Sequence, residues 1–271
     1  MKPEFINYLE ENFYADFKSY DKFVLDQDGN IVELSIGGVD QSPILPDPKN
    51  ISDLSVFLPL SPYLKVLHIR NCGIDKDMSP IKAFTHLREL SLSYTNRINK
   101  ITGLENLTEL ETLDLSGNKI EKIEGLENLT KLKLLDLSSN GLGFDGYIKK
   151  VEGLSSLTRL ECLYLHHNEI EEIKEIDTLS NLKKLTLSTR LTEFPDLTSL
   201  QSLEQLSITG EFNRVENLSG LKHLHTIRIE SEKEIENIEE LVKNKNLINI
   251  EVNSEKIRGH VSGIYTHWWA R

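Results

Sequence analysis

Cysteine is scarce: the sequence holds two, too few for a disulfide framework. The opening segment MKPEFINYLEENFYADFK carries acids and aromatics where a secretory leader has a basic start and an apolar run. A cytoplasmic location is therefore expected. No apolar run approaches the roughly 18 residues that cross a bilayer. Positive charge is in deficit, with 31 Lys and Arg against 43 Asp and Glu and a net charge of −12. Wrapping a nucleic acid depends on cationic side chains that release counterions, so that class is excluded. An anionic membrane surface is excluded for the same reason.

Catalytic signatures are missing too. There is no G-x-S-x-G, G-x-x-x-x-G-K-[ST], H-E-x-x-H or C-x-x-C. His166 and His167 form the one His pair. Neighbours in a strand point to opposite faces, which is the wrong geometry for sharing a metal. Cys162 and His166 share a face four residues apart, roughly 13 Å along a strand, too far for a thiol and its base. A non-enzymatic chain without metal or cofactor is expected.

What the chain does contain is a repeat. The pattern L-x-x-L-x-L-x-x-N-x-I opens ten units, at Ile31, Leu64, Leu87, Leu110, Leu132, Leu160, Leu182, Leu203, Leu224 and Leu247. A period of this kind marks a solenoid whose coils stack on one another. In the unit LETLDLSGNKIEKIEGLENLTK, Leu113 and Leu115 alternate inward from a short strand. Leu110, Ile120, Ile123, Leu126 and Leu129 fill the same interior. Asn118 can satisfy backbone groups at the bend that follows, where no strand ladder reaches them. Asn140, Asn168 and Cys72 hold that ninth position in their own units, so Cys72 reads as structural.

One coil cannot hold itself, because ordering its backbone costs more than its few apolar side chains return. The two ends must be sealed, and the aromatics support that: seven of nineteen fall within the first 23 residues. Phe5, Leu9, Phe13, Phe17 and Tyr20 recur at helical spacing after Pro3. A hairpin turning at Asp28-Gly29 follows. Residues 1–30 are read as an N-terminal helix and strand cap, 31–257 as the solenoid, and 258–271 as an aromatic C-terminal segment. With Tyr265, Trp268 and Trp269, that last segment is either a cap or a docking tail.

The units LDLSGNKIEKIEGLENLTKL and LYLHHNEIEEIKEIDTLSNL resemble the leucine-rich repeat family in its 22-residue class. They are similar to repeats of leucine-rich protein phosphatase regulatory subunits and of bacterial internalins. The resemblance implies an α/β solenoid, a right-handed horseshoe with a parallel β-sheet on its concave side and 3₁₀ or extended segments on its convex side. It also implies a binding protein whose partner is another protein; a monomer is expected.

The third, fifth and seventh residues of each unit point outward from the sheet, and these are the informative variables. The fifth-position row reads His68, Ser91, Asp114, Asp136, Tyr164, Thr186, Ser207, Arg228, Glu251. Adjacent strands lie about 4.8 Å apart, which sets Asp114, Asp136 and Tyr164 side by side. Leu134, Cys162 and His166 would surround them, with Tyr94 and His167 at the loop edge. Such a mix of aromatic anchors and polar groups is what protein interfaces favour at their centres. The candidate partner-binding residues are Tyr94, Asp114, Leu134, Asp136, Tyr164, His166 and His167. Phe144 and Tyr147, in an insertion after Leu142 rich in glycine, are loop candidates that either touch a ligand or tolerate drift. Two functions stay open: a scaffold that binds a partner through the concave sheet, or an acidic inhibitor or phosphatase-regulatory protein acting on a partner enzyme, basic in the inhibitor case.

Overall fold

Leucines at the fourth and sixth positions of a unit turn to one side of a short extended segment, and the residues between them turn to the other. Stacking such segments buries one face and leaves the other open. The structure, a computed structural model, describes residues 3–13, 15, 21–37, 51–74, 76–141 and 147–254. Phe17, Tyr20, Phe144 and the segment 258–271 lie outside the described residues.

Helix α1 (Glu4–Phe13) comes first, followed by β1 (Lys22–Leu25) and β2 (Ile31–Ile36). These two strands pair antiparallel around the turn at Asp28 and Gly29. Then come β3 (Val66–Arg70), β4 (Glu89–Ser93), β5 (Thr112–Asp114) and β6 (Leu134–Asp136). A short β7 (Lys150–Val151) precedes β8 (Cys162–Ile170) and β9 (Glu172–Ile173). The last strands are β10 (Lys184–Thr189), β11 (Gln205–Gly210), β12 (Thr226–Ser231) and β13 (Asn249–Ser254), with α2 (Glu239–Lys243) before β13. One sheet orders them β1-β2-β3-β4-β5-β6-β8-β10-β11-β12-β13, and β7 pairs with β9 in a second. From β2 onward every pairing in the large sheet is parallel, so each repeat unit contributes one strand.

Between strands the chain returns through 3₁₀ turns at Leu54–Leu60, Ser79–Ala83, Ile176–Thr178 and Leu218–Gly220, and otherwise through extended or irregular segments. The interior is a continuous column of mostly aliphatic side chains, joined by Phe57, Phe84 and Phe212. Leu110, Leu113, Leu115, Ile120, Ile123, Leu126 and Leu129 are all buried within it. At the first coil α1 buries Ile6 and Leu9, and Phe5 meets the buried Phe57 edge to face at 6.4 Å between ring centroids.

Asparagine stitches successive coils. Asn118 Nδ2 donates to Leu92 O at 2.8 Å and to Leu115 O at 3.0 Å. Asn140 Nδ2 donates to Leu115 O at 3.1 Å and Leu137 O at 3.0 Å, while its Oδ1 accepts from the Ile120 amide at 3.0 Å. Asn168 Nδ2 donates to Leu137 O at 2.9 Å and Leu165 O at 3.2 Å. Leu115 O and Leu137 O therefore each accept from two amides in neighbouring coils. Cys72 is buried at the same position, its Sγ 3.3 Å from Arg70 O.

The residue before each of these positions is left-handed: Asn71, Tyr94, Gly117, Ser139 and His167 have φ between 50° and 66°. β3 and β4 end at the residue before this bend, and β5 and β6 end three residues before it. After Asn168 the ninth position becomes Arg190, Glu211 and Glu232, which have no buried amide to offer the bend. The eighth residues Thr189, Gly210 and Ser231 accordingly stay within strands, and the pairing runs on to Gly210 with Ser231. The junction falls between β8 and β10, where the register shifts between Leu187 and Thr189.

Candidate functional site

The outward face at this junction holds the sequence candidates. Register places Ser91, Asp114, Asp136, Tyr164 and Thr186 on consecutive strands, each opposite the next. Leu134, Cys162 and Lys184 form the adjoining row in the same way. His166 reaches across to Thr186, with Nδ1 3.2 Å from its hydroxyl. The Tyr164 hydroxyl lies against the Cys162 thiol.

Tyr94 is not part of this group. It stands 46% exposed at the left-handed bend of its own coil, three strands from His167, about 14 Å away at the usual spacing. Its ring covers Gly117, where an added Cβ would come within 2.5 Å of the ring edge. Tyr147 is half-buried, its ring packed on Gly141. The His pair also departs from expectation. Strand alternation puts the two rings on opposite faces, yet their centroids lie 5.1 Å apart in an edge-on contact. The left-handed φ of 54° at His167 breaks the alternation and swings its ring back. Its amide donates to Ser188 Oγ at 2.8 Å, whereas Asn71, Tyr94, Gly117 and Ser139 donate to carbonyls of the next coil. Among the described residues no group of three or more His, Cys, Asp or Glu is arranged to hold a metal ion.

Both aspartates serve their own strand ends. Asp114 Oδ1 accepts from the Ser116 amide at 3.0 Å and its hydroxyl at 2.6 Å. Asp136 Oδ1 does the same for Ser138, at 2.9 and 2.6 Å. Asp114 has a further set of partners, which sequence reasoning missed. Ser91 Oγ donates to its Oδ2 at 2.8 Å, Ser91 and Ser93 hydroxyls lie 3.2 Å apart, and Arg70 Nε donates to Ser93 Oγ at 3.1 Å. The Arg70 guanidinium is 3.6 Å from Asp114. Arg70 lies two coils away and one step along its strand, a diagonal that periodicity alone does not single out.

The electrostatics follow from this half-sheltered setting. Burial pushes the Asp136 carboxyl up from the ordinary carboxylate value, although its bonds from Ser138 oppose the shift, and neighbouring Asp114 adds to it. Burial, then the Cys162 thiol, pushes the Tyr164 phenol up to about 12, so it stays protonated. His166 is held below its ordinary value by burial, against the pull of Asp136. The site therefore presents a neutral phenol, a neutral imidazole and two carboxylates beside Leu134. The edge of the sheet differs, since its charges are matched between coils: Glu111 with Lys133 at 2.6 Å and Glu161 with Lys183 at 2.8 Å.

The family profile for Leucine Rich repeats matches twice, over residues 64–106 and 108–155. These segments carry the units whose Asn ladder and parallel strands are described above. Both segments are leucine-rich repeats. Solved structures from Listeria monocytogenes share the fold. Internalin C2 superposes with a TM-score of 0.58 at 27% identity, covering 69% of this chain and 83% of its own. An internalin, InlF, gives 0.60 at 22%, covering 82% and 78%. The functional domain of InlJ gives 0.59 at 21%, covering 75% of this chain, which spans 48% of that structure. No curated protein matches the chain at the sequence level. Leucine-rich repeat proteins generally serve as protein–protein interaction scaffolds, and their repeats supply an extended binding surface.

Proposed function

We propose that this chain is a non-enzymatic scaffold that binds a partner protein through the outward face of its parallel sheet, centred on Asp136, Tyr164 and His166. The observation that carries the reading is the register. Tyr164 sits directly opposite Asp136, with Leu134 and Cys162 alongside and His166 on the next step. An aromatic anchor ringed by polar groups, on a face that the fold itself leaves open, is how binding energy concentrates at an interface centre. A cytoplasmic setting and a monomeric state belong to the same proposal.

The test is capture from a lysate of the source cell by the wild-type chain and by a Tyr164→Ala, His166→Ala variant. Neither side chain is in the buried interior, so the variant should lose no more than about 1 kcal/mol of stability. The expected result is loss of the captured partner with folding intact. Unchanged capture would move the binding surface elsewhere on the solenoid. Comparing capture at about 50 and about 300 mM salt reads the electrostatic share, because exposed charges are screened within a Debye length of about 8–10 Å.

A further inference from the structure

We infer that the outward sheet face carries a receptor for one arginine side chain of the partner protein, seated between the Asp136 carboxylate and the Tyr164 ring. The inference rests on the sheet-face reading above and names the chemistry of the group that reading leaves unspecified.

Asp114 and Asp136 occupy the same position in successive coils and hold identical bonds through Oδ1. They differ at Oδ2. For Asp114 the strand on its N-terminal side supplies Ser91, and Arg70 stands behind it. For Asp136 that strand supplies Asp114 itself, which is acidic. Asp136 Oδ2 has no hydrogen bond or ion pair among the described residues. The charged neighbours that act on Asp136 are Asp114, which disfavours its ionisation, and His166, which is neutral near pH 7. One carboxylate on this face is thus left with an oxygen unmatched, while a carboxylate in the same setting one coil earlier is matched by a guanidinium.

The surroundings choose the kind of cation. Tyr164 pairs with Asp136 across one strand spacing, so an aromatic ring and a carboxylate stand about 4.8 Å apart at their backbones. A planar guanidinium can stack on a ring while donating to a carboxylate, which a compact ammonium does less well. Leu134 and Cys162 border the pair and reduce the water around it, and a charge-assisted hydrogen bond gains strength in such a setting.

Short random peptides displayed on phage would be selected on the full chain, then measured on it and on three variants. Asp136→Asn keeps the oxygen that serves Ser138 and removes the charge. Tyr164→Ala tests the sheet-face reading. Glu216→Gln removes one charge from outside the strands. Selected peptides are expected to be enriched in arginine over lysine, to weaken about tenfold or more on Asp136→Asn, and to bind Glu216→Gln unchanged. Peptides that need Tyr164 but carry no arginine, or that bind Asp136→Asn equally, would overturn the inference and leave the sheet-face reading standing. Peptides indifferent to both Asp136→Asn and Tyr164→Ala would overturn both. Recovery of no binding peptide above background would also overturn the arginine receptor.

Discussion

Replacing Asn140 by Ala should be among the more costly polar substitutions in this chain, and the structure says by how much. Asn140 is fully buried. Its Oδ1 is the acceptor for the Ile120 amide, which loses that partner outright, at about 1–3 kcal/mol for an orphaned buried group. Leu115 O and Leu137 O each lose one amide but keep another, from Asn118 and Asn168, at about 0.5–1.5 kcal/mol apiece. The expected loss is about 2–6 kcal/mol. Asn168 is the internal control. It occupies the same position and makes two amide bonds, but its Oδ1 is buried without a partner among the described residues. Its removal relieves a desolvated oxygen at the same time as it breaks those bonds, so Asn168→Ala should cost about 0–2 kcal/mol. Urea unfolding followed by far-ultraviolet circular dichroism measures both from midpoint and slope. Equal losses, or a loss at Asn140 below about 1 kcal/mol, would refute the ladder as the source of coil-to-coil stability.

Other outcomes follow from single positions. Gly117 is left-handed at φ 66° and lies under the Tyr94 ring, so Gly117→Ala should cost about 1–2 kcal/mol from the backbone alone. Tyr94→Ala should remove the ring clash of that variant but leave the 3.0 Å approach to the Tyr94 Cα and the backbone cost, which a double-mutant cycle separates. The His166 imidazole titrates below its ordinary value of 6.5 because of burial, so the unfolded chain binds its proton first. Stability from this group is complete above pH 6.5 and falls as pH drops toward the folded-state value. The difference in unfolding midpoint between wild type and His166→Gln should therefore be flat above that pH and change below it; a flat difference throughout would contradict the assigned burial.

The parallel sheet and its register were readable because a period near 22 residues puts each strand's fifth residue beside the next. That is how Asp114, Asp136 and Tyr164 could be set in a row from Leu spacing alone. The contact between His166 and His167 was not readable in the same way, because alternation assumes an unbroken strand and the left-handed His167 breaks it. A signal for where such bends stop was present: the ninth position changes from Asn168 to Arg190, Glu211 and Glu232, and the bend stops with it. Arg70 beside Asp114 stayed hidden because a diagonal contact 44 residues away depends on side-chain reach rather than on period. Ile6 is buried on α1 beside Phe5, at a position outside the aromatic spacing.

The most direct measurement is photo-crosslinking in the source-cell lysate, with a benzophenone side chain placed at Tyr164 in one chain and at Glu216 in another. A protein adduct from position 164 and none from position 216 is the predicted result. An adduct from 216 alone, or none from 164 while the partner is still captured, would contradict a binding surface on the outward face of the sheet.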